Sequence, residues 1–140
     1  KYLNWFLRLF ESFGNPVEVI SKEDKVRYHA AAAMASNLYV GLANMCEQML
    51  RDCGFSAANA HRALSPLMIG NTENIIQYGP VGALTGPIER NDLTTVMDHL
   101  ESLSEQEQKV YKILSGEVIN VAKMKHPERD YSEMERMLNS

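Results

Sequence analysis

Residues 24–53 read DKVRYHAAAAMASNLYVGLANMCEQMLRDC, and this stretch decides the fold. It contains no proline, carries four consecutive alanines at residues 30–33, and is followed by Gly54. Alanine is the best helix former, and glycine commonly stands just after the last residue of a helix. Ser21 and Asp24 have the spacing of an N-terminal cap. The pattern therefore predicts one long helix over residues 23–53.

Apolar residues at helical spacing on both sides of this stretch predict an all-α fold, a bundle of about six helices built around the long one. Ser104 and Glu107 have the spacing of a capping box, which marks the start of a helix. Gly79 and Pro80 are expected to end a helix, because neither residue continues one well. The shorter helices are predicted over residues 1–13, 57–78, 92–103 and 105–125, with a last one after Ser132.

One short N-terminal strand is also predicted, at residues 17–20, which read Val-Glu-Val-Ile. The preceding Asn15-Pro16 favours an extended backbone. A single strand cannot satisfy its own backbone hydrogen-bonding groups. The strand is therefore expected to need a partner outside this sequence.

The composition excludes several classes of protein. Among 140 residues there are 14 Lys and Arg against 18 Asp and Glu, which gives a net charge of −4. No nucleic-acid partner is expected, because no local cluster of basic residues offsets this acidic balance. The longest stretch without a charged residue, residues 28–46, is too polar to span a membrane, so no membrane association is expected either.

The glycines, histidines and cysteines show no recognised cofactor or metal motif. The eight glycines form neither G-x-G-x-x-G nor a P-loop, so this chain is expected to hold no nucleotide cofactor. The four histidines and two cysteines lack metal-ligand spacing, and no metal site is predicted. Cys46 and Cys53 lie too far apart along one helix for a disulfide. Two reduced thiols indicate a cytoplasmic protein.

The long helix carries the clearest candidate site. Lys25, His29 and Ser36 fall on one stripe of the helix, among small residues, with Asn37 a quarter-turn away. Small neighbours would let a ligand approach closely. The alternative is that His29 is a half-buried structural histidine and that Ser36 hydrogen-bonds to its own helix.

Two further candidates follow along the chain. Asn74 lies on a helix expected to bury its Ile75 and Ile76 side, where an amide braces a loop or binds a ligand. Residues 79–91 contain three glycines, two prolines and few charges, and are expected to form a loop. In that loop Thr85 and Arg90 could bind an anion. The alternative is a rigid connection in which Arg90 makes a surface ion pair.

Three segments together resemble one protein family. They are DKVRYHAAA at residues 24–32 with ASN at 35–37, EN at 73–74, and ALTGPIERND at 83–92, of which LTGPI is the most specific. Over residues 10–115 the chain is similar to the helical C-terminal domain of a little-characterised family of Rossmann-containing proteins classed as oxidoreductases. That family is similar to pyrroline-5-carboxylate reductase, ketopantoate reductase and deazaflavin-dependent NADP oxidoreductases.

The resemblance implies an all-α domain of the 6-phosphogluconate dehydrogenase C-terminal type, which supplies the substrate side of a cleft and the dimer contact. It also implies a preceding Rossmann-like domain, so NAD(P) is expected in the full-length protein. Residues 1–22 would then be a linker helix and an orphan strand from that missing domain, and residues 23–140 the all-α substrate-binding and dimerisation domain. Asn91 stands where the family tends to have glycine.

The resemblance therefore predicts the C-terminal substrate-binding and dimerisation domain of an NAD(P)-dependent oxidoreductase, inactive without its Rossmann domain. The expected partners are a second copy of the chain, the Rossmann-like domain and a small-molecule substrate. The alternative is a non-enzymatic helical dimerisation or scaffold module that uses the small-residue face of residues 30–43. The expected catalytic residues are His29 and Lys25, and the expected substrate-binding residues are Ser36, Asn37, Asn74, Thr85 and Arg90.

Overall fold

The computed structural model describes residues 2–140, and helices are the only regular elements in this range. The predicted all-α fold class is confirmed. The helices are α1 (Leu3–Ser12), α2 (Lys25–Ala33), α3 (Tyr39–Asp52), α4 (Ala57–Ala83), α5 (Leu93–Ser102), α6 (Glu105–Lys125) and α7 (Ser132–Asn139).

The predicted long helix is present as α2 and α3, which are joined by a π-helical turn at Met34–Leu38. The backbone stays in the right-handed helical region through Met34 and Tyr39, so helical conformation runs without a break from α2 into α3. The prediction over residues 23–53 is therefore confirmed to within two residues at each end. The π-helical turn inside it was not predicted.

The two ends of the long helix differ in their capping. At the start, Asp24 is the N-cap residue and no side chain caps it, while Ser21 Oγ accepts from the Asp24 N–H at 3.0 Å in the turn before the helix. At the end, Gly54 adopts a φ of 93°, and its N–H donates to the Arg51 carbonyl at 2.8 Å. The Phe55 N–H then donates to the Leu50 carbonyl at 3.1 Å. This pair of bonds is a Schellman motif, which requires a left-handed residue and explains glycine at position 54.

The predicted strand at residues 17–20 is not formed, and these residues have no regular secondary structure. A strand is stabilised by ladder hydrogen bonds to a second strand, and residues 2–140 contain none. Val17, Val19 and Ile20 are all exposed. Alternating β-branched residues are thus not enough for a strand here.

The loop after α4 is shorter than predicted. Gly79, with φ 69° and ψ 172°, kinks α4, and the helix resumes for one turn that ends at Ala83. Pro80 fits this arrangement because the first turn of a helix has no use for the missing N–H. The regular helix therefore ends at Gly79, as predicted, and a separate helical turn follows it. The loop begins at residue 84 rather than 79 and spans residues 84–92.

The chain divides into two compact units, Lys1–Asn44 and Met45–Ser140. None of the described residues of the first unit is buried. The second unit has an apolar core built from loop 84–92, α5, α6, α7 and Tyr131, which precedes α7. The buried members of that core are Ile88, Val96, Leu100, Ile119, Ala122, Tyr131, Met134 and Leu138.

The predicted domain boundary after residue 22 stays a prediction, since the two compact units follow internal contacts alone. Within residues 2–140, no helix has the length and apolar content needed to cross a membrane.

Candidate functional site

Four of the predicted site residues lie on the long helix, and all four are exposed. Lys25 and His29 belong to α2, and Ser36 and Asn37 lie within the π-helical turn. Residues four apart on a helix share a face, so Lys25 and His29 are neighbours along one surface. The exposure of His29 differs from the half-buried position considered as the alternative.

The Ser36 hydroxyl interacts with its own helix. Ser36 Oγ lies 2.7 Å from the carbonyl oxygen of Ala32 and 3.2 Å from Oδ1 of Asn37. A hydroxyl has one proton, so it donates to one of these two acceptors at a time. The back-bond to Ala32 is the arrangement expected for a structural serine, and it leaves the oxygen lone pairs able to accept.

The π-helical turn distinguishes Ser36 and Asn37 from the rest of the helix. π-helical turns are rare, occur mostly as single turns inside α-helices, and are frequent at functional sites. The backbone widens at the two polar residues that the sequence singles out. In the sequence, Ser36 itself is the indication of this turn. A serine hydroxyl that bonds to the carbonyl four residues earlier disturbs regular helix geometry.

Asn74 is exposed on α4, and so are its apolar neighbours Ile75 and Ile76. The side chain of Ile76 is 81% exposed, so the expectation that α4 buries this side is wrong. Asn74 is therefore not a buried amide in need of partners. Its predicted role in binding rests on the resemblance alone.

Thr85 and Arg90 lie on the same loop, as predicted, and both are exposed. The Arg90 guanidinium is 4.0 Å from Oδ2 of Asp92, at the limit of an ion pair, and its side chain is 61% exposed. Such a pair contributes little stability. The guanidinium is thus available to an anion, although Asp92 competes for it.

The carboxylate of Asp92 is occupied chiefly by the start of α5. It accepts from the Thr95 backbone N–H at 3.1 Å and from Thr95 Oγ1 at 2.7 Å. These hydrogen bonds hold the pKa of Asp92 below its usual range. An ionised cap at the start of α5 also complements the helix dipole.

The backbone of loop 84–92 forms its own hydrogen bonds. The N–H groups of Arg90, Asn91 and Asp92 donate to the carbonyls of Gly86, Ile88 and Pro87, at 3.1, 3.0 and 2.8 Å. Gly86 has a φ of 110°, which a residue with a side chain rarely adopts. The loop is therefore a compact turn with Ile88 buried beneath it.

A cluster of polar residues that the sequence did not single out lies beside this loop. Glu89 Oε1 accepts from Nε2 of His126 and lies 3.8 Å from Nζ of Lys125. The hydrogen bond from His126 is the main cause that holds the pKa of Glu89 below its usual range. The sequence predicts a helix that ends at residue 125, next to His126. No spacing pattern could pair this histidine with a glutamate 37 residues earlier.

Asn91 has the only positive φ, 59°, among the described non-glycine residues. Its Nδ2 donates to the Asp130 carbonyl at 3.0 Å, while its Oδ1 is buried without a hydrogen-bond partner among residues 2–140. Asparagine tolerates this left-handed region better than most residues. Glycine enters the same region freely.

Within residues 2–140, no three His, Cys, Asp or Glu side chains are close enough together to hold a metal ion. Cys46 and Cys53 are free thiols, and burial raises the pKa of Cys46. A raised thiol pKa disfavours the nucleophilic thiolate at neutral pH.

No curated protein and no solved structure matches this sequence. The model of one family, described as a domain of unknown function (DUF2520), matches residues 1–118. The match covers well over half of the chain and ends within α6, so that residues 119–140 with α7 lie beyond it. The chain therefore belongs to the DUF2520 family.

Proposed function

We propose that this chain is the substrate-binding and dimerisation domain of a cytoplasmic NAD(P)-dependent oxidoreductase, inactive until a Rossmann-like domain brings the cofactor. The main support is the π-helical turn at Met34–Leu38, because it interrupts a regular helix at Ser36 and Asn37. The motif resemblance supplies the reaction class. The sequence has no G-x-G-x-x-G motif, so no residue of this chain is assigned to the dinucleotide.

In this proposal the long helix supplies the proton. His29 donates or orients a proton at the reacting carbonyl or imine, and the Lys25 ammonium one turn earlier tunes it electrostatically. NAD(P)H on the other domain would supply the hydride. Ser36 and Asn37 present hydroxyl and amide groups to the substrate, and both side chains are exposed.

Three further binding residues are proposed in the second unit, which is taken by itself. Arg90 would bind an anionic group of a ligand, and Thr85 would donate from the same loop. Asn74 would offer an amide from α4. The carboxylate of Asp92 is already hydrogen-bonded to Thr95. A ligand carboxylate can therefore displace Asp92 from Arg90 more easily.

The dimerisation part of the proposal is supported by exposed apolar side chains on the long helix. Val26 is 78% exposed, Leu38 62% and Val40 68%. Burying an apolar side chain of this size contributes about 1.5–3 kcal/mol, and exposed apolar surface marks interaction sites. The alternative function is a non-enzymatic dimerisation or scaffold module. The same exposed apolar side chains favour it, and so does the bond from the Ser36 hydroxyl to the Ala32 carbonyl, which is typical of a structural serine.

The test is His29→Ala in the protein that includes the upstream Rossmann domain, with Arg27→Ala as the matched exposed control on α2. NADPH oxidation is measured against small keto acids and cyclic imines. We expect His29→Ala to lower turnover by about 10²–10⁴-fold, the usual contribution of a general acid. The melting temperature should stay nearly unchanged, because His29 is exposed.

Two results would contradict the catalytic proposal. One is normal turnover in His29→Ala. The other is a parent protein that oxidises NADPH with none of these substrates and still forms a dimer, which would favour the scaffold module.

A further inference from the structure

Loop 84–92 is held at several points by residues 125–131, the last residue of α6 and the segment that joins it to α7. Lys125 Nζ donates to the Leu84 carbonyl at 2.6 Å, at the start of the loop. Near its end, Asn91 Nδ2 donates to the Asp130 carbonyl at 3.0 Å. The partners are 39 to 41 residues apart in sequence, so these bonds are tertiary contacts.

The middle of the loop is held most firmly, at Glu89. Its carbonyl accepts from the Arg129 guanidinium and from the Tyr131 hydroxyl, the latter at 2.7 Å. A carbonyl oxygen has two lone pairs, so two donors saturate it. The Glu89 carboxylate, only 14% exposed, accepts from His126. The carbonyl and the carboxylate of Glu89 are thus bound by the same segment.

The side chains of Thr85 and Arg90 are exposed and take no part in this set of bonds with residues 125–131. Arg90 follows the doubly bound Glu89 carbonyl and precedes Asn91, whose left-handed backbone is tied to Asp130. The backbone is therefore fixed on both sides of Arg90 while its guanidinium can still reach a ligand.

We propose that residues 125–131 form a clamp that sets the backbone of loop 84–92 and so presents Thr85 and Arg90 in one orientation. Arg129 and Tyr131 are positioning residues in this device, because they act on Arg90 through the Glu89 carbonyl. The clamp lies beyond residue 118, outside the part of the chain that the family model matches. The proposal of a clamp rests on these hydrogen bonds and does not depend on whether Arg90 binds a substrate anion.

The test is amide hydrogen exchange in the 140-residue chain, comparing the parent with Tyr131→Phe and Arg129→Met. Tyr131→Phe removes the hydroxyl and keeps the ring, which is 1% exposed and part of the core. Losing one hydrogen bond should speed exchange of the Arg90, Asn91 and Asp92 amides about five-fold, the equivalent of a typical net hydrogen bond. The amides of Ile119 and Ala122 in α6 should keep their parent rates.

Lys123→Gln is the matched control. It removes a 2.6 Å ion pair with Glu135 that links α6 to α7 without contacting the loop. The three loop amides should exchange at the parent rate in this variant. The clamp is refuted if both test variants leave the loop amides at the parent rate, or if they accelerate the α6 amides by the same factor as the loop.

Discussion

At the scale of single residues, Asn91 shows how a departure from a family pattern can be compatible with the same backbone. By the resemblance, glycine tends to stand at the position of Asn91, and the structure gives Asn91 a φ of 59°. Both residue types enter the left-handed region at low cost, although only asparagine can also donate to Asp130. The position selects residues by backbone conformation, which the resemblance could indicate but not measure.

This backbone requirement predicts different stabilities for two substitutions at position 91. Asn91→Gly and Asn91→Ala both lose the hydrogen bond to the Asp130 carbonyl. Only alanine must also be held in the left-handed region, at a cost of about 1–2 kcal/mol. We expect Asn91→Ala to be about 1 kcal/mol less stable than Asn91→Gly in urea denaturation. Equal midpoints and slopes would contradict a strained backbone at this residue.

At the scale of elements, the helices with strong local signals were predicted well and the irregular ones were not. α6 begins and ends where the sequence predicts, and its start is fixed by the complete capping box of Ser104 and Glu107. The π-helical turn at Met34–Leu38 and the extra turn of α4 after Gly79 were missed. Hydrophobic periodicity assumes a regular helix, so it cannot show a local widening of the helix or a short helical turn that follows a break.

The capping box at α6 can be tested by Ser104→Ala. Ser104 Oγ accepts from the Glu107 N–H at 3.4 Å, and Glu107 Oε2 accepts from the Ser104 N–H at 2.7 Å. Removing such a cap costs about 1 kcal/mol, so we expect the melting temperature, followed by circular dichroism, to fall by a few degrees.

Ser102→Ala is the matched control for that substitution, since its hydroxyl donates only to the His99 carbonyl within its own helix. We expect a smaller change there. A loss in Ser102→Ala as large as that in Ser104→Ala would argue against a capping contribution.

At the scale of the whole molecule, the all-α fold class could be predicted from the sequence. Which polar residues lie close together could be predicted only in part. Thr85 and Arg90 were expected on the same loop because they are close in sequence. The cluster of Glu89 with His126, Arg129 and Tyr131 joins residues about 40 apart, which no local pattern encodes. The strand at residues 17–20 failed for the related reason that a strand depends on a partner.

The distribution of burial across the molecule leads to a prediction about assembly. The described residues of the first unit have no buried member, and Leu38 is exposed on its long helix. We expect light scattering to give a mass twice the 15.8 kDa of one chain, and Leu38→Glu to restore the monomer mass. A charge buried in an apolar interface is costly because it loses its hydration.

Met124→Glu is the matched control for the dimer, because Met124 is a similarly exposed apolar residue on α6, in the second unit. It should leave the dimer mass unchanged. A monomeric parent chain would contradict dimerisation through the long helix.

The single tryptophan of the chain, Trp5, lies on α1, is exposed and packs edge-to-face on Phe6. Indole fluorescence excited at the red edge therefore comes from α1 alone. Water around an exposed indole shifts the emission to longer wavelengths, and an apolar covering reverses the shift. The fluorescence of Trp5 can thus report binding of a partner to α1 without an added label.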